Sequence, residues 1–163
     1  MFLRFFLFHL GEKIMTTQAQ QNVNQAQYFN LHTTGIGYLS DIREVTPKKG
    51  KPFLACRVSA LVGPASDAEY RFFDMNVVGE EAEKLIERCK NAVETKKKVL
   101  ISFVMSDLWY DTFTYSKDSE YHKKGDTGVS LKGRLIRIKM IKVDGELKHQ
   151  EQPKSADNES EAA

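Results

Sequence analysis

Two neighbouring segments, PFLACRVSALV (52–62) and EYRFFDMNVVG (69–79), alternate residue by residue, and that period restricts the chain to a fold built on strands. Successive side chains of a strand point to opposite faces, so a repeat of two marks a strand with one buried side. In the first segment Leu54, Cys56, Val58, Ala60 and Val62 form the apolar set, with Phe53, Arg57 and Ser59 opposite. In the second, Phe73, Met75 and Val77 share one face, with Tyr70, Phe72, Asp74 and Asn76 on the other. One apolar face is enough to make a core. Large aromatics beside an arginine on the second face need another use: a flat platform for stacking bases, or a surface for a partner protein.

The rest of the chain supplies the companions of these strands. HTTGIGYLSDIREV predicts a first strand from Ile36 to Val45, with Gly35 and Gly37 suited to a strong bend. TPKKGKP is turn chemistry, Pro47 presetting its own backbone angle and Gly50 free to take a positive φ. After Gly79 the spacing of Ala82, Leu85, Ile86, Cys89 and Val93 makes one helical stripe in EEAEKLIERCKNAVE. Acidic residues crowd the start of that helix and Lys96, Lys97 and Lys98 follow its end, as the helix dipole favours. The lysine run reads equally well as a solvated helix exit and as a ligand contact. KVLISFVMSDLWYDTFTYS predicts a fourth strand that bends near Ser106-Asp107 and continues as an aromatic arm. GVSLKGRLIRIKMIKVDGE predicts the last strand, with a bulge near Leu135-Ile136 where the alternation slips.

Three strands, one helix and two strands describe an all-β protein with one helix: the OB-fold, a five-stranded Greek-key barrel, here with an extended β-hairpin arm. That architecture binds oligonucleotides across its second and third strands, where the outward aromatics lie. The expected domain spans 28–150. It is preceded by a leading segment, 1–27, Gln/Asn-rich over 16–27, and followed by an acidic tail, 151–163, both expected to be disordered.

Net charge is only +2, but the last thirteen residues hold four acids and one lysine, which leaves a mildly basic body. Such a balance suits a polyanion binder and many ordinary domains besides. MFLRFFLFHL at the start is too short to cross a bilayer and lacks a small-residue cleavage site. Met15 opens a polar stretch that reads as a natural beginning, so residues 1–14 are expected to come from an upstream start. Two cysteines without a CxxC pair suggest a reducing, cytoplasmic setting, and no membrane association is expected.

From Tyr28 to Glu146 the chain resembles a family of single-stranded-DNA-binding-like replication proteins encoded by bacterial integrative and conjugative elements. The strings YFNLHTTGIGYLSDIREVTPKKGKPFLACRVSAL, LWYDTFTY and GVSLKGRLIRIKMIKVDGE carry the resemblance. It implies single-stranded DNA as partner, a role in replication or transfer of the element, assembly as a homo-oligomer (dimer or tetramer), and replication or conjugation proteins as further partners. Classical bacterial single-strand-binding proteins are similar in layout: FDMNVVGEEAEKLIERC puts Phe72 near their stacking aromatic, and KKVLISFVMSDLWYD puts Trp109 or Tyr110 near their stacking tryptophan. Two features depart from that group. No glycine stands near Ser102-Phe103, and the tail lacks an acidic tip ending in Pro-Phe.

The candidate site follows. A base stacked on an aromatic gains about 1–3 kcal/mol whatever its identity. Phe53, Tyr70 and Phe72 offer such rings on strands two and three, with Arg57 beside them, and the arm adds Trp109, Tyr110, Phe113 and Tyr115. For each ring the plain alternative is a place in the core or between subunits; Phe113 and Tyr115 are expected to pack on the barrel. Lys48, Lys49 and Lys51 occupy the loop between strands one and two, where phosphates or solvent would meet them. Enzyme signatures are poor. Gly35-Ile36-Gly37 lacks the third glycine of a nucleotide fingerprint, and His32, His122 and His149 stand away from any ligand-spaced cysteine. The expectation is a non-enzymatic single-stranded DNA-binding protein without metal or cofactor; the alternative is an OB-fold protein-interaction module.

Overall fold

A computed structural model describes residues 31–152. The expectations for an upstream start, a disordered leading segment and an acidic tail fall on 1–30 and 153–163, outside the described residues. Within them run β1 (His32–Val45), β2 (Phe53–Val62), β3 (Glu69–Val77), α1 (Glu80–Glu94), β4 (Val99–Thr114), β5 (Thr127–Val143) and β6 (Glu146–Gln150).

The strands are hydrogen-bonded in the order β3-β2-β1-β4-β5-β6, and a further pairing of β3 with β5 closes the first five into a ring. Every ring pairing is antiparallel except β3–β5, which is parallel from Phe73 opposite Leu131 to Val77 opposite Leu135. A five-stranded closed sheet in this order, with its helix between the third and fourth strands, is the OB-fold. Closure pairs the Phe73–Val77 part of the β3 edge, leaves Glu69–Phe72 beyond it, and makes an inside and an outside of the ring strands.

The inside is filled by the residues that the alternation selects. Cys56 and Val58 from β2, Met75 from β3, Ile101 and Phe103 from β4 and Leu135 from β5 are almost wholly buried. Each large side chain so buried contributes roughly 1.5–3 kcal/mol before the entropy cost of ordering it. Helix α1 lays Ala82, Leu85, Ile86 and Cys89 against this cluster. Burial pushes the Cys56 thiol up to about 12, so it remains protonated. Gly37 is required by contact rather than by turn geometry: a Cβ there would come within 2.5 Å of the Ser59 carbonyl oxygen and 2.7 Å of Ala60 Cα. Only a bare backbone lets β1 pass that close to β2.

Two aspartates bend the strands. Asp41 has φ 49° where β1 changes register against β2, and Asp107 has φ 58° where β4 changes register against β5. Asp tolerates the left-handed region better than most residues, and each one inserts a bulge. On β5 the buried residues Leu135, Ile138 and Ile141 are three apart instead of two, because β4 skips Ile136 and Lys139 in its pairing. Met140 consequently faces outward opposite Ser102, not inward beside Ile138.

The sequence reading differs in two places. β1 begins at His32, four residues before Ile36, and pairs there with the bulge-side part of β4. A sixth strand, β6, follows a two-residue hairpin at Asp144-Gly145, both with positive φ (50° and 87°). Asp-Gly is the preferred pair for such a turn.

Candidate nucleic-acid interface

Register decides which side chains share the outer surface. On β2, Ser59 lies between Tyr38 of β1 and Phe72 of β3, Arg57 lies between Ser40 and Asp74, and Leu61 stands beside Tyr70. Phe72 is 60% exposed and Tyr70 46%. Neither ring has a core to fill, and Ser59 between them and β1 is too small to cover either. The Tyr38 and Tyr70 rings approach to 6.5 Å between centroids at a tilt of 46°.

The arm extends this surface. Trp109 of β4 sits opposite Lys132 of β5, and Lys132 is the parallel neighbour of Asp74. Trp109, Lys132, Asp74 and Arg57 therefore form one row across four strands. Trp109 is half-buried within it. Tyr110 points the other way, opposite Leu131, together with the exposed Leu108 and Val129. The structure thus joins Phe72, Tyr70 and Trp109 and separates Tyr110 from them. Phe53 stands half-buried at the far end of the face, opposite Val45.

Phe113 and Tyr115 pack on the arm itself and not on the barrel. Phe113 lies over Gly128, where any Cβ would strike its ring, and meets Tyr115 edge-on at 5.0 Å. Tyr115 in turn stacks on His122 from the loop, with centroids 3.4 Å apart and planes 16° from parallel. These contacts stiffen the arm and occupy rings that would otherwise be open to bases.

Asp74 organises the charges. Arg57 donates to it through Nε at 2.9 Å and through a second nitrogen at 3.4 Å, Ser130 donates at 2.9 Å, and Arg43 stands 3.9 Å away. Burial alone would raise the Asp74 carboxyl. The hydrogen bonds from Arg57 and Ser130, with the charges of Arg57 and Lys132, outweigh burial and hold it below the usual carboxylate range. The same hydrogen bond raises Arg57 further. A phosphate must therefore compete with Asp74 for Arg57. Lys48, Lys49 and Lys51 stand under no such claim: they are exposed in the 46–52 loop and make no ion pair among the described residues.

Comparison with known proteins adds a family. The description "Protein of unknown function (DUF3577)" matches residues 22–157. The chain belongs to the DUF3577 family. Among curated proteins none matches. Two crystal structures of the mitochondrial single-stranded DNA binding protein Rim1 from S. cerevisiae are similar in fold. The first has a TM-score of 0.38 and 13% identity, covering 68% of this chain and 94% of that one. The second, labelled with selenomethionine, has a TM-score of 0.33 and 11% identity over 71% and 96%.

On the platform face this DUF3577 chain carries a ring absent from the sequence reading, Tyr38. Ile36, Tyr38 and Ser40 alternate with Gly37 and Leu39, so the signal was present in GIGYLS, but the glycines drew attention to bending instead. No group of three or more metal-ligating side chains occurs among the described residues. No helix among them is long and apolar enough to cross a membrane.

Proposed function

We propose that this protein is a non-enzymatic binder of single-stranded DNA with little sequence preference. One observation carries the reading: Phe72, Tyr70 and Trp109 sit on a single outer face of the OB barrel, with a loop at its end whose lysines make no ion pair among the described residues. Aromatic platforms accept any base, and lysines without carboxylate partners supply the phosphate attraction. Phe72 and Trp109 carry the stacking, with Tyr70 beside them. Lys48, Lys49 and Lys51 engage the backbone, and Arg57 does so only by releasing Asp74.

The resemblance seen in the sequence supports a role in the replication or transfer of an integrative and conjugative element, with the protein as a dimer or tetramer, and the two cysteines without a CxxC pair support a cytoplasmic setting. A specific feature favours contacts with other protein as well: the second side of the arm exposes Leu108, Tyr110 and Val129 together. That side suits a subunit or a replication or conjugation protein, which is the interaction-module reading in a restricted form.

Trp109 is the only tryptophan, so its fluorescence tests the proposal directly. Oligo-dT at low salt is expected to quench it, and added salt to restore it. No response at low salt would sink the reading.

A further inference from the structure

The run Lys96-Lys97-Lys98 was left between two readings by the sequence, and the structure gives it a definite place. Lys97 and Lys98 line a shallow pocket of about 300 Å³ together with Tyr38, Leu39, Tyr70 and Val99. The pocket lies on the outside of the barrel, where Tyr38 of β1 stands opposite Leu100 of β4. Its two tyrosine rings lie 6.5 Å apart at a tilt of 46°. Its two lysines make no ion pair among the described residues.

The lysines are also held in position. The Lys97 N–H donates to the Ala92 carbonyl at 2.9 Å, which fastens it to the end of α1. The Lys98 N–H donates to the Asp144 carboxylate at 2.9 Å, and the Asp144 N–H donates back to the Lys98 carbonyl at 2.9 Å. The β5–β6 hairpin thus clamps the backbone of the lysine pair. Asp144 spends its carboxylate on a backbone N–H and leaves both ammonium groups free.

We propose that this pocket is a second nucleotide subsite, in which Tyr38 and Tyr70 take a base and Lys97 and Lys98 take the adjoining phosphates. A pocket of this volume falls at the small end of ligand clefts. Aromatic rings beside cations that make no ion pair among the described residues are the combination that single-stranded nucleic acid uses. The inference rests on the single-strand-binding reading and extends it. From Trp109 the contacts pass over Lys132 on β5, Phe72 on β3 and Tyr38 on β1 to Lys98 at the head of β4. The bound strand passes from the β4 arm around the ring to the residue just before β4, crossing the strands instead of running along one of them.

The test uses the full chain and fluorescent oligo-dT. Tyr38→Ala is expected to weaken binding at least about fivefold, the lower end for one lost stacked base. The double variant Lys97→Gln/Lys98→Gln is expected to flatten the dependence of log affinity on log salt by about 1.4, near 0.7 for each phosphate contact to a single strand. Both lysines are exposed, so that variant reads the subsite even where Tyr38→Ala disturbs the sheet. If Phe72→Ala weakens binding while the lysine variant keeps the full salt slope and Tyr38→Ala the full affinity, the subsite is overturned and the parent reading stands. If the unaltered protein binds no oligo-dT at low salt, the parent reading falls, and the subsite with it.

Discussion

β4 and β5 run through two regions of opposite character, and the contrast between them explains much of the molecule. Before the bulge at Asp107, β4 buries Val99, Ile101, Phe103 and Met105 in the barrel; beyond it, Leu108, Tyr110 and Phe113 lie exposed in the arm. The strands and their antiparallel pairing are the same on both sides. In the barrel, ring closure and α1 give each strand an inside. In the arm, past the last β3–β5 pair at Leu131, the two strands have only each other as sheet neighbours among the described residues, and an isolated hairpin is marginal in water. It is held by pairs across the strands: Phe113 over Gly128, Tyr115 on His122, and Lys132 beside Asp111 at 3.4 Å. Stability is therefore concentrated in the barrel, while the arm is free to spend its aromatic residues on contact surfaces.

The contrast can be broken first by truncating one phenylalanine in each region. Phe103→Ala is expected to cost about 3–5 kcal/mol in urea unfolding, because it empties a fully buried site. Phe113→Ala, on a half-open ribbon, is expected to cost about 1 kcal/mol or less. Equal losses would show that the arm folds as part of the core.

A second experiment separates stability from binding. Trp109→Ala and Phe72→Ala are each expected to weaken oligo-dT binding by about 1–3 kcal/mol while leaving the unfolding midpoint nearly unchanged. If the midpoint falls with the affinity, these rings belong to the fold and not to the face.

The Asp74 cluster lies between the two regions and brings acid sensitivity. Its carboxyl is lowered in the folded protein, so the stability it adds is present above the unfolded value near 4 and is lost as pH falls through the folded one. The difference in unfolding free energy between the unaltered protein and Asp74→Asn is expected to shrink as pH drops below about 4. At neutral pH the same variant releases Arg57, and oligo-dT affinity is expected to rise with a steeper salt dependence. A fall in affinity would show that Asp74 positions Arg57 for the strand and does not compete for it.

The smallest effect concerns the basic loop. Lys49→Gln alone is expected to reduce the salt slope by about 0.7, with no change in fluorescence quenching at low salt. An unchanged slope would remove that lysine from the face.

Much of the fold was legible because its signals are local. Alternation placed β2 and β3, and the apolar stripe with its acidic first turn gave α1 from Glu80 to Glu94. The slip near Leu135-Ile136 marked a bulge, and Ser106-Asp107 marked the bend into the arm. β6 was missed although Asp144-Gly145 announces a hairpin, because Glu146–Gln150 is short, polar and without alternation of its own. The site was less legible for a different reason. Arg57 is neutralised by a residue 17 positions away, and whether a cation is free or paired depends on register, which no local pattern reports. The Tyr115–His122 stack depends likewise on how a loop folds back. Tyr110 and Trp109 are neighbours in sequence, so only the orientation of the arm decides which of them faces the platform.

The parallel pairing of β3 with β5 also carries a consequence for how the protein is made. It joins Phe73 to Leu131 and Val77 to Leu135, so the ring cannot close until residues from the last fifth of the chain have left the ribosome. During most of synthesis the Phe73–Val77 edge of β3 has no neighbour. Pairings between such distant segments form slowly, since the loop entropy is lost before the contact is gained. A nascent chain halted before Leu131 would keep an open sheet with that edge exposed, and quality control has that interval in which to act on it.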